Sequence, residues 1–340
     1  MRKLVSLVLV LMLAFTLAAC ATPTTPDPNA PASGVIEIPV IIKATDSDFW
    51  QYVWVGAKNY ELDHPDKVKV TLYGPKSEAD IDKQVAILED VLAKNPKAIV
   101  ISSTSSDATV PAFEKAYAAG TKIITIDNKV NTDKVHSFLA TDNLVGGGLA
   151  AEKLVEALKA KNIPLKGKVG LISAMAGVQV LVNRDKGFTD KLKELAPDLQ
   201  LLETKYTDND IVKAMGIAKD MMAANPDLVG FFADNNATGD GVSRAIIEEK
   251  AQDKLAAVAF DSDPEEIKAL GDGVLYALIL QDPFGMGYKG VDFALKSIAG
   301  EKLPAYVDTG ATAVTKANMN DDSIKGLLDP FSKKKSGVQY

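Results

Sequence analysis

The sequence predicts an α/β protein in which parallel sheets are covered by helices on both faces, divided into two domains. Three observations lead there. Val- and Ile-rich runs of strand length alternate with amphipathic helical patterns along the chain, the arrangement of right-handed βαβ units. The 340 residues, 47% of them hydrophobic, are enough for two cores at roughly 100–200 residues per domain. With 24% charged residues and a mean hydropathy near zero, the composition excludes disordered, collagenous and coiled-coil chains.

The chain opens on a targeting pattern. Arg2 and Lys3 form a basic start, Leu4 to Phe15 an apolar run, and Leu17-Ala18-Ala19 a small-residue cleavage zone, so residues 1–20 read as a signal peptide. The apolar run is too short for a comfortable bilayer span. Cys20, the one cysteine of the sequence, stands where cleavage would expose it. It can form no internal disulfide. Residues 21–34, ATPTTPDPNAPASG, hold four prolines and almost nothing that builds a core, which predicts an extended linker.

The body follows. Strands are expected at Val35 to Lys43, Val68 to Tyr73, Ala98 to Ile101, Lys122 to Ile126, His136 to Ala140, Val169 to Ile172, Leu228 to Phe232, Ala256 to Phe260 and Val274 to Leu280. Helices are expected between them, at Trp50 to Leu62, Ile81 to Lys94, Thr109 to Ala119, Gly148 to Lys161, Asn183 to Leu195, Ile211 to Ala224 and Gly239 to Glu249. The run Lys333-Lys334-Lys335 lies in residues 331–340, read as a solvated tail.

Ligands of doubly wound sheets bind outside the carboxyl ends of the strands, so the residue after each apolar run is the one to inspect. Those positions hold Asp46, Ser47 and Asp48, then Ser102, Asp127-Asn128, Thr141-Asp142, Asp234-Asn235, Asp261 and Gln281. Many such residues also cap helices. Capping does not account for Gln281 or for the aromatic pair Phe49-Trp50. Carboxylates, amides and an aromatic face suit a polyhydroxylated ring, whose hydroxyls donate to Asp and accept from Asn while its C–H face lies on indole.

Charge narrows the ligand. With 38 basic and 45 acidic residues the net charge is −7, or −9 without Arg2 and Lys3, and no basic stripe exists to hold nucleic acid. Beyond Arg2, only Arg184 and Arg244 offer a guanidinium, few for a phosphate or polycarboxylate ligand; an uncharged one fits better. His64 and His136 are isolated, so zinc ligation and Ser-His-Asp chemistry lack their parts, and no metal or cofactor is expected. Paired carboxylates such as Asp46/Asp48 and Asp208/Asp210 are set aside as loop residues rather than glycosidase machinery. Gly285-Met286-Gly287-Tyr288-Lys289-Gly290 matches G-x-G-x-x-G, but four residues separate it from the strand end. Its glycines, like Gly146-Gly147-Gly148, are expected inside a helix for close packing.

The stretches ATDSDFWQYVWVGAK, IVISSTSSDA, ITIDN, ATDNLVGGGLAAEKL, NRDKGF, FFADNNATGDGV, VAFDSDPEEI and LILQDPFGMGYKGV carry a family resemblance. From about Ile38 to Thr312 the chain resembles the periplasmic sugar-binding proteins of the ribose-binding type, the solute receptors of bacterial ABC importers. Leu17-Ala18-Ala19-Cys20 resembles a bacterial lipoprotein box, which implies acylation of Cys20. The resemblance places Ser47, Phe49 and Trp50 in the first ligand loop, with Trp50 stacked on the sugar. It makes Asp127 the first-lobe carboxylate and Arg184, in R-x-x-G-F, the binding arginine. Asn235, Asp261 and Gln281 are then further polar ligands; Ser102 is a candidate from its place after a strand. The chain departs from the ribose receptors at Asn128, where they tend to have Arg, and at Asn209, where they often have an aromatic residue.

The fold this implies is two doubly wound parallel-sheet lobes joined by a three-segment hinge. The first lobe is 36–141 plus 282–309 and the second 142–281 plus 310–330, with crossings near Thr141 to Asn143, Gln281 to Pro283 and Asp308 to Ala311. The implied function is an extracytoplasmic lipoprotein, monomeric, that captures an uncharged sugar or polyol and delivers it to the membrane subunits of an ABC permease, with no enzymatic activity. Its place is the outer face of the cytoplasmic membrane or the periplasm. Receptors for nucleosides, amino acids or a signal molecule, including chemotaxis receptors, are the alternatives within this class. A LacI-type repressor shares the core but needs a helix-turn-helix where this chain has a signal and spacer.

Overall fold

β-Branched runs bounded by turn residues set the strands, and 3.6-residue apolar periodicity sets the helices between them. The computed structural model describes residues 34–336 and Val338; the signal segment, Cys20 and the spacer up to residue 33 lie outside the described residues. In chain order come β1 (Ile36–Ile41), α1 (Asp48–Asp63), β2 (Val68–Tyr73), α2 (Ile81–Leu92), β3 (Ala98–Ile101), α3 (Val110–Ala118), β4 (Lys122–Ile126) and β5 (Ser137–Ala140). Then follow α4 (Asn143–Ala160), β6 (Gly167–Ser173), α5 (Gln179–Leu195), β7 (Leu199–Leu201), β8 (Lys205–Tyr206), α6 (Ile211–Ala224), β9 (Leu228–Ala233) and α7 (Asn236–Glu248). The remainder is β10 (Ala256–Phe260), α8 (Pro264–Asp272), β11 (Ala277–Leu280), α9 (Pro283–Ile298), β12 (Tyr306–Asp308), β13 (Thr312–Thr315), α10 (Asp322–Leu328) and a 3₁₀ turn (Pro330–Lys333).

These strands build two sheets, ordered β12-β5-β4-β3-β1-β2 and β13-β11-β10-β9-β6-β7, with β8 beside β6. All pairings are parallel except β11 with β13. Strands β3 and β10 are buried along their whole length and β4 from Ile123 onward, as parallel strands covered on both faces must be. Each sheet has the same internal order, its first strand lying second from one edge, so each has a switch point at its strand carboxyl ends. The chain passes between the sheets three times, from β5 to α4, from β11 to α9 and from β12 to β13.

The two crossover helices are fixed by glycine. On α9, a Cβ at Gly287 would collide with the Val53 carbonyl of α1, and one at Gly56 of α1 with the Phe284 carbonyl. On α4, a Cβ at Gly147 would strike the Arg184 carbonyl of α5, and one at Gly187 of α5 the Leu144 carbonyl. The G-x-G-x-x-G segment therefore lies within a helix and serves backbone-to-backbone packing. Asp142, Asp282 and Asn235 cap α4, α9 and α7 through their side chains, Asn235 in a reciprocal capping box with Thr238.

The structure moves several boundaries. α4 starts at Asn143 rather than Gly148, because the Asp142 cap and the three glycines continue the helix backwards. α5 starts at Gln179 rather than Asn183, and β11 at Ala277 rather than Val274. Residues 331–335 of the C-terminal segment pack against α1 rather than standing free. Phe331 meets Tyr52 edge-on at 4.7 Å, Asn59 Nδ2 donates to the Lys333 carbonyl at 2.7 Å, and Lys335 pairs with Asp63. Phe331 and Pro330 give this segment an apolar side to bury, which its lysines obscured.

One buried carboxyl group predicts a pH response. Glu266 on α8 is 0% exposed, neither of its oxygens has a hydrogen-bond partner, and burial holds its pKa well above the usual carboxylate range. The folded state therefore binds this proton more tightly than the unfolded chain. Stability from it is fully present below the unfolded pKa and is lost as pH rises through the folded one. Glu266→Gln should raise the melting temperature at pH 8 and leave it nearly unchanged at pH 4. Thermal melts across that range check this, and parallel wild-type and variant profiles would contradict it.

Candidate functional site

The carboxyl ends of both sheets face one cavity of about 30 Å³. The first lobe contributes Lys43 from the end of β1, Phe49 and Trp50 from α1, Glu78 from the β2–α2 loop and Asp127 from the end of β4. Arg184 and the apolar Val180 and Leu181 come from α5, with Val178 just before it. Asn235 and Asn236 follow β9, Asp261 follows β10, and Gln281 follows β11.

Asp127 and Asp261 occupy matching places in the two sheets. Each follows its strand in a left-handed backbone conformation, φ 60° and 75°, and each donates its backbone N–H at 2.9 Å to the neighbouring strand, to Leu139 and Ile279. Non-glycine residues hold this conformation at a cost of order 1–3 kcal/mol, and Asp is among the few that visit it readily. The turn aims each carboxylate into the space between the sheets.

Their partners differ. Asp127 Oδ2 pairs with Lys43 Nζ at 2.7 Å and accepts from Ser102 Oγ at 3.1 Å. Asp261 Oδ1 accepts from Gln281 Nε2 at 2.7 Å, and burial pushes its pKa up to about 6 against the pull of Arg184. The Oε1 atom of Gln281 is buried and has no partner, an acceptor aimed at nothing the chain supplies.

Arg184, 2% exposed, lies with its guanidinium 3.6 Å from the centre of the Phe260 ring. Its Nε and Nη2 donate to Asn143 Oδ1 at 3.1 and 2.8 Å, and its Nη1 donates to the Asp234 carbonyl. Of the five N–H donors of a guanidinium three are thus engaged, which leaves about two for a ligand. Asp234 accepts from Ser173 Oγ and from the Ala174 N–H; it and neighbouring Asp185 are both pushed up in pKa by burial.

Trp50 is 2% exposed, meets Phe49 edge-on at 4.9 Å and donates its indole N–H to Glu78 Oε1 at 2.6 Å. Lys43 Nζ lies 5.3 Å from the indole centre. An indole held along one edge by a carboxylate presents a fixed apolar face.

Of the sequence-derived candidates, the fold brings Phe49, Trp50, Asp127, Arg184, Asn235, Asp261 and Gln281 together on the cavity. Four stand behind it. Ser102 supports Asp127, and Ser47 is the residue before α1 and makes no side-chain cap bond. Asn128 turns away to donate to the Ser103 carbonyl at 3.0 Å, while its Oδ1 accepts from the Val180 N–H of the second lobe at 3.4 Å. Asn209, at φ 59°, accepts from Asn235 Nδ2 at 2.7 Å and so orients it. Lys43, Glu78 and Asn236 were missed. Lys43 closes an apolar run, where a buried cation gives a signal, whereas Glu78 sits in an aperiodic loop that gives none.

The two-lobed α/β fold agrees with comparison to known proteins. Residues 38–302 match the periplasmic binding protein domain. The chain belongs to this family. Periplasmic binding proteins similar to it include the ribose import binding protein of Escherichia coli (strain K12), 29% identical over 90% of this chain and 95% of that one. A carbohydrate transporter solute binding protein from Agrobacterium radiobacter, solved in complex with D-arabinose, is 39% identical with a TM-score of 0.84, covering 88% of this chain and 100% of that one. An ABC transporter solute binding protein from Agrobacterium vitis with bound D-fucose is 34% identical with a TM-score of 0.81, covering 86% and 99%.

Proposed function

We propose that this chain is an extracytoplasmic solute receptor that closes its two lobes around an uncharged sugar or polyol and delivers it to the membrane subunits of an ABC import permease. The observation that carries this reading is the cavity itself. Asp127 and Asp261 from opposite sheets, the Trp50 face, the remaining Arg184 donors and the unpartnered Gln281 oxygen converge on one small space. A cavity of about 30 Å³ holds no sugar ring, so the lobes must part to admit one, which then meets each of them: hydroxyl donors for the carboxylates and the amide oxygen, ring or hydroxyl oxygens for the guanidinium, and a C–H face for the indole. The similarity to proteins solved with D-arabinose and D-fucose supports the same class.

Only the closed arrangement brings both halves of this set onto one ligand, so binding favours closure by the difference in contacts between the two states. Periplasmic binding proteins are a standard case of such hinge motion. The reading is of a binding protein. Among the described residues, no cluster of His, Cys, Asp or Glu could hold a metal ion.

The chain is held to the membrane, in this reading, by lipid on Cys20. The basic Arg2-Lys3 start, the Leu4–Phe15 run and Leu17-Ala18-Ala19 before the cysteine support it. Cys20→Ser should release the protein from the membrane fraction or leave its precursor uncut. Unchanged membrane association of that variant would contradict the anchor.

Thermal melting with D-ribose, D-arabinose and D-fucose, against nucleosides and amino acids, tests the ligand class. A sugar present at ~100 times its dissociation constant adds ~2.7 kcal/mol of stability and raises the melting temperature accordingly. The reading predicts this for at least one of the sugars. Stabilisation by a nucleoside or an amino acid with none by sugars would overturn it.

A further inference from the structure

Glu78 belongs to the loop Gly74-Pro75-Lys76-Ser77-Glu78-Ala79-Asp80 that joins β2 to α2. Pro75 anchors that loop to the β1 end, its carbonyl accepting from the Thr45 N–H at 3.0 Å. One carboxylate oxygen, Oε1, accepts from Trp50 Nε1 at 2.6 Å, and Oε2 has no protein partner among the described residues. The nearby cation is engaged elsewhere, since Lys43 Nζ is bonded to Asp127 at 2.7 Å and lies 5.3 Å from the Trp50 ring centre.

Five charged side chains line the cavity: Lys43 and Arg184 against Glu78, Asp127 and Asp261. Two cations face three carboxylates, so the lining carries a formal excess of one negative charge. Asp127 is bonded to Lys43 and Asp261 lies near Arg184, whereas Glu78, its pKa raised by burial, feels both cations at longer range and is bonded to neither. In a cavity that admits little water, a free carboxylate oxygen accepts from a hydroxyl and repels a second anion.

We propose that Glu78 is a specificity-determining residue of the cleft: its free oxygen accepts a hydrogen bond from a ligand hydroxyl, and its charge excludes sugar acids. The inference rests on the reading of the cleft as a sugar site. Glu78 also fixes the indole, but that role needs only an acceptor, which an amide oxygen supplies equally. Exclusion needs the charge. Glu78→Gln therefore separates the two roles, and unchanged tryptophan emission of the ligand-free variant checks that the indole has kept its place.

The test is calorimetry on wild type and Glu78→Gln with D-ribose, D-arabinose and D-fucose as neutral probes and D-galacturonate as the acidic one. D-Galacturonate shares the ring stereochemistry of D-fucose and carries a carboxylate in place of its methyl group. Wild type should bind its best neutral sugar at least 100-fold more tightly than D-galacturonate. Glu78→Gln should lose at least tenfold on that neutral sugar and narrow the ratio at least tenfold. A ratio within twofold of wild type overturns the proposal while leaving the sugar reading intact. Failure of wild type to bind any of the neutral sugars overturns the sugar reading first, and the role of Glu78 with it.

Discussion

Two aspartates, Asp127 and Asp261, are held at positive φ at the ends of matching strands and face one another across a cavity from which water is largely shut out. Much of the site can be derived from that constraint. Like charges in a low-dielectric space repel, so each carboxylate needs stabilising partners, and each lobe supplies them differently. The first uses Lys43 and Ser102, while the second uses the Gln281 amide and the guanidinium of Arg184. Arg184 in turn lies over Phe260 and is bound to Asn143, the first residue of the crossover helix α4. A side chain that contacts the cavity is thereby tied to one of the segments linking the lobes.

The glycine contacts complete this link. Because Gly147 and Gly187 let α4 and α5 touch through their backbones, the position of Arg184 relative to Asn143 is set by main-chain packing rather than by adjustable side chains. Gly56 and Gly287 do the same for α1 and α9, and α1 carries Phe49 and Trp50. The wall helices α1 and α5 are therefore each seated backbone-to-backbone on a crossover helix.

The sequence made this architecture legible where period and position coincide. Parallel strands buried on both faces read as continuous Val/Ile runs, and the residue after each run is where a doubly wound sheet exposes polar groups, so Asp127, Asp261 and Gln281 were visible. Trp50 was visible because an aromatic residue is a poor helix start. Legibility failed where direction matters more than position. Asn128 follows Asp127 directly, yet the left-handed turn at Asp127 sends the next side chain to the Ser103 carbonyl. Glu78 lies in a loop without periodicity, and only the fold brings it to a tryptophan 28 residues away in sequence. The strands β7, β8 and β12, of two or three residues, are too brief to carry a pattern, and the packed C-terminal segment was hidden by its lysines.

With three carboxylates against two cations, the closed cavity without a ligand concentrates negative charge, and hydroxyl donors relieve it. The ligand-free chain should therefore be open in solution and closed with sugar bound. Small-angle X-ray scattering measures this directly. The account predicts that the radius of gyration contracts when the chain is saturated with the sugar that raises its melting temperature most, and that Asp261→Asn weakens the affinity that drives the contraction. Saturation of the site, verified by calorimetry, with an unchanged radius of gyration would contradict it.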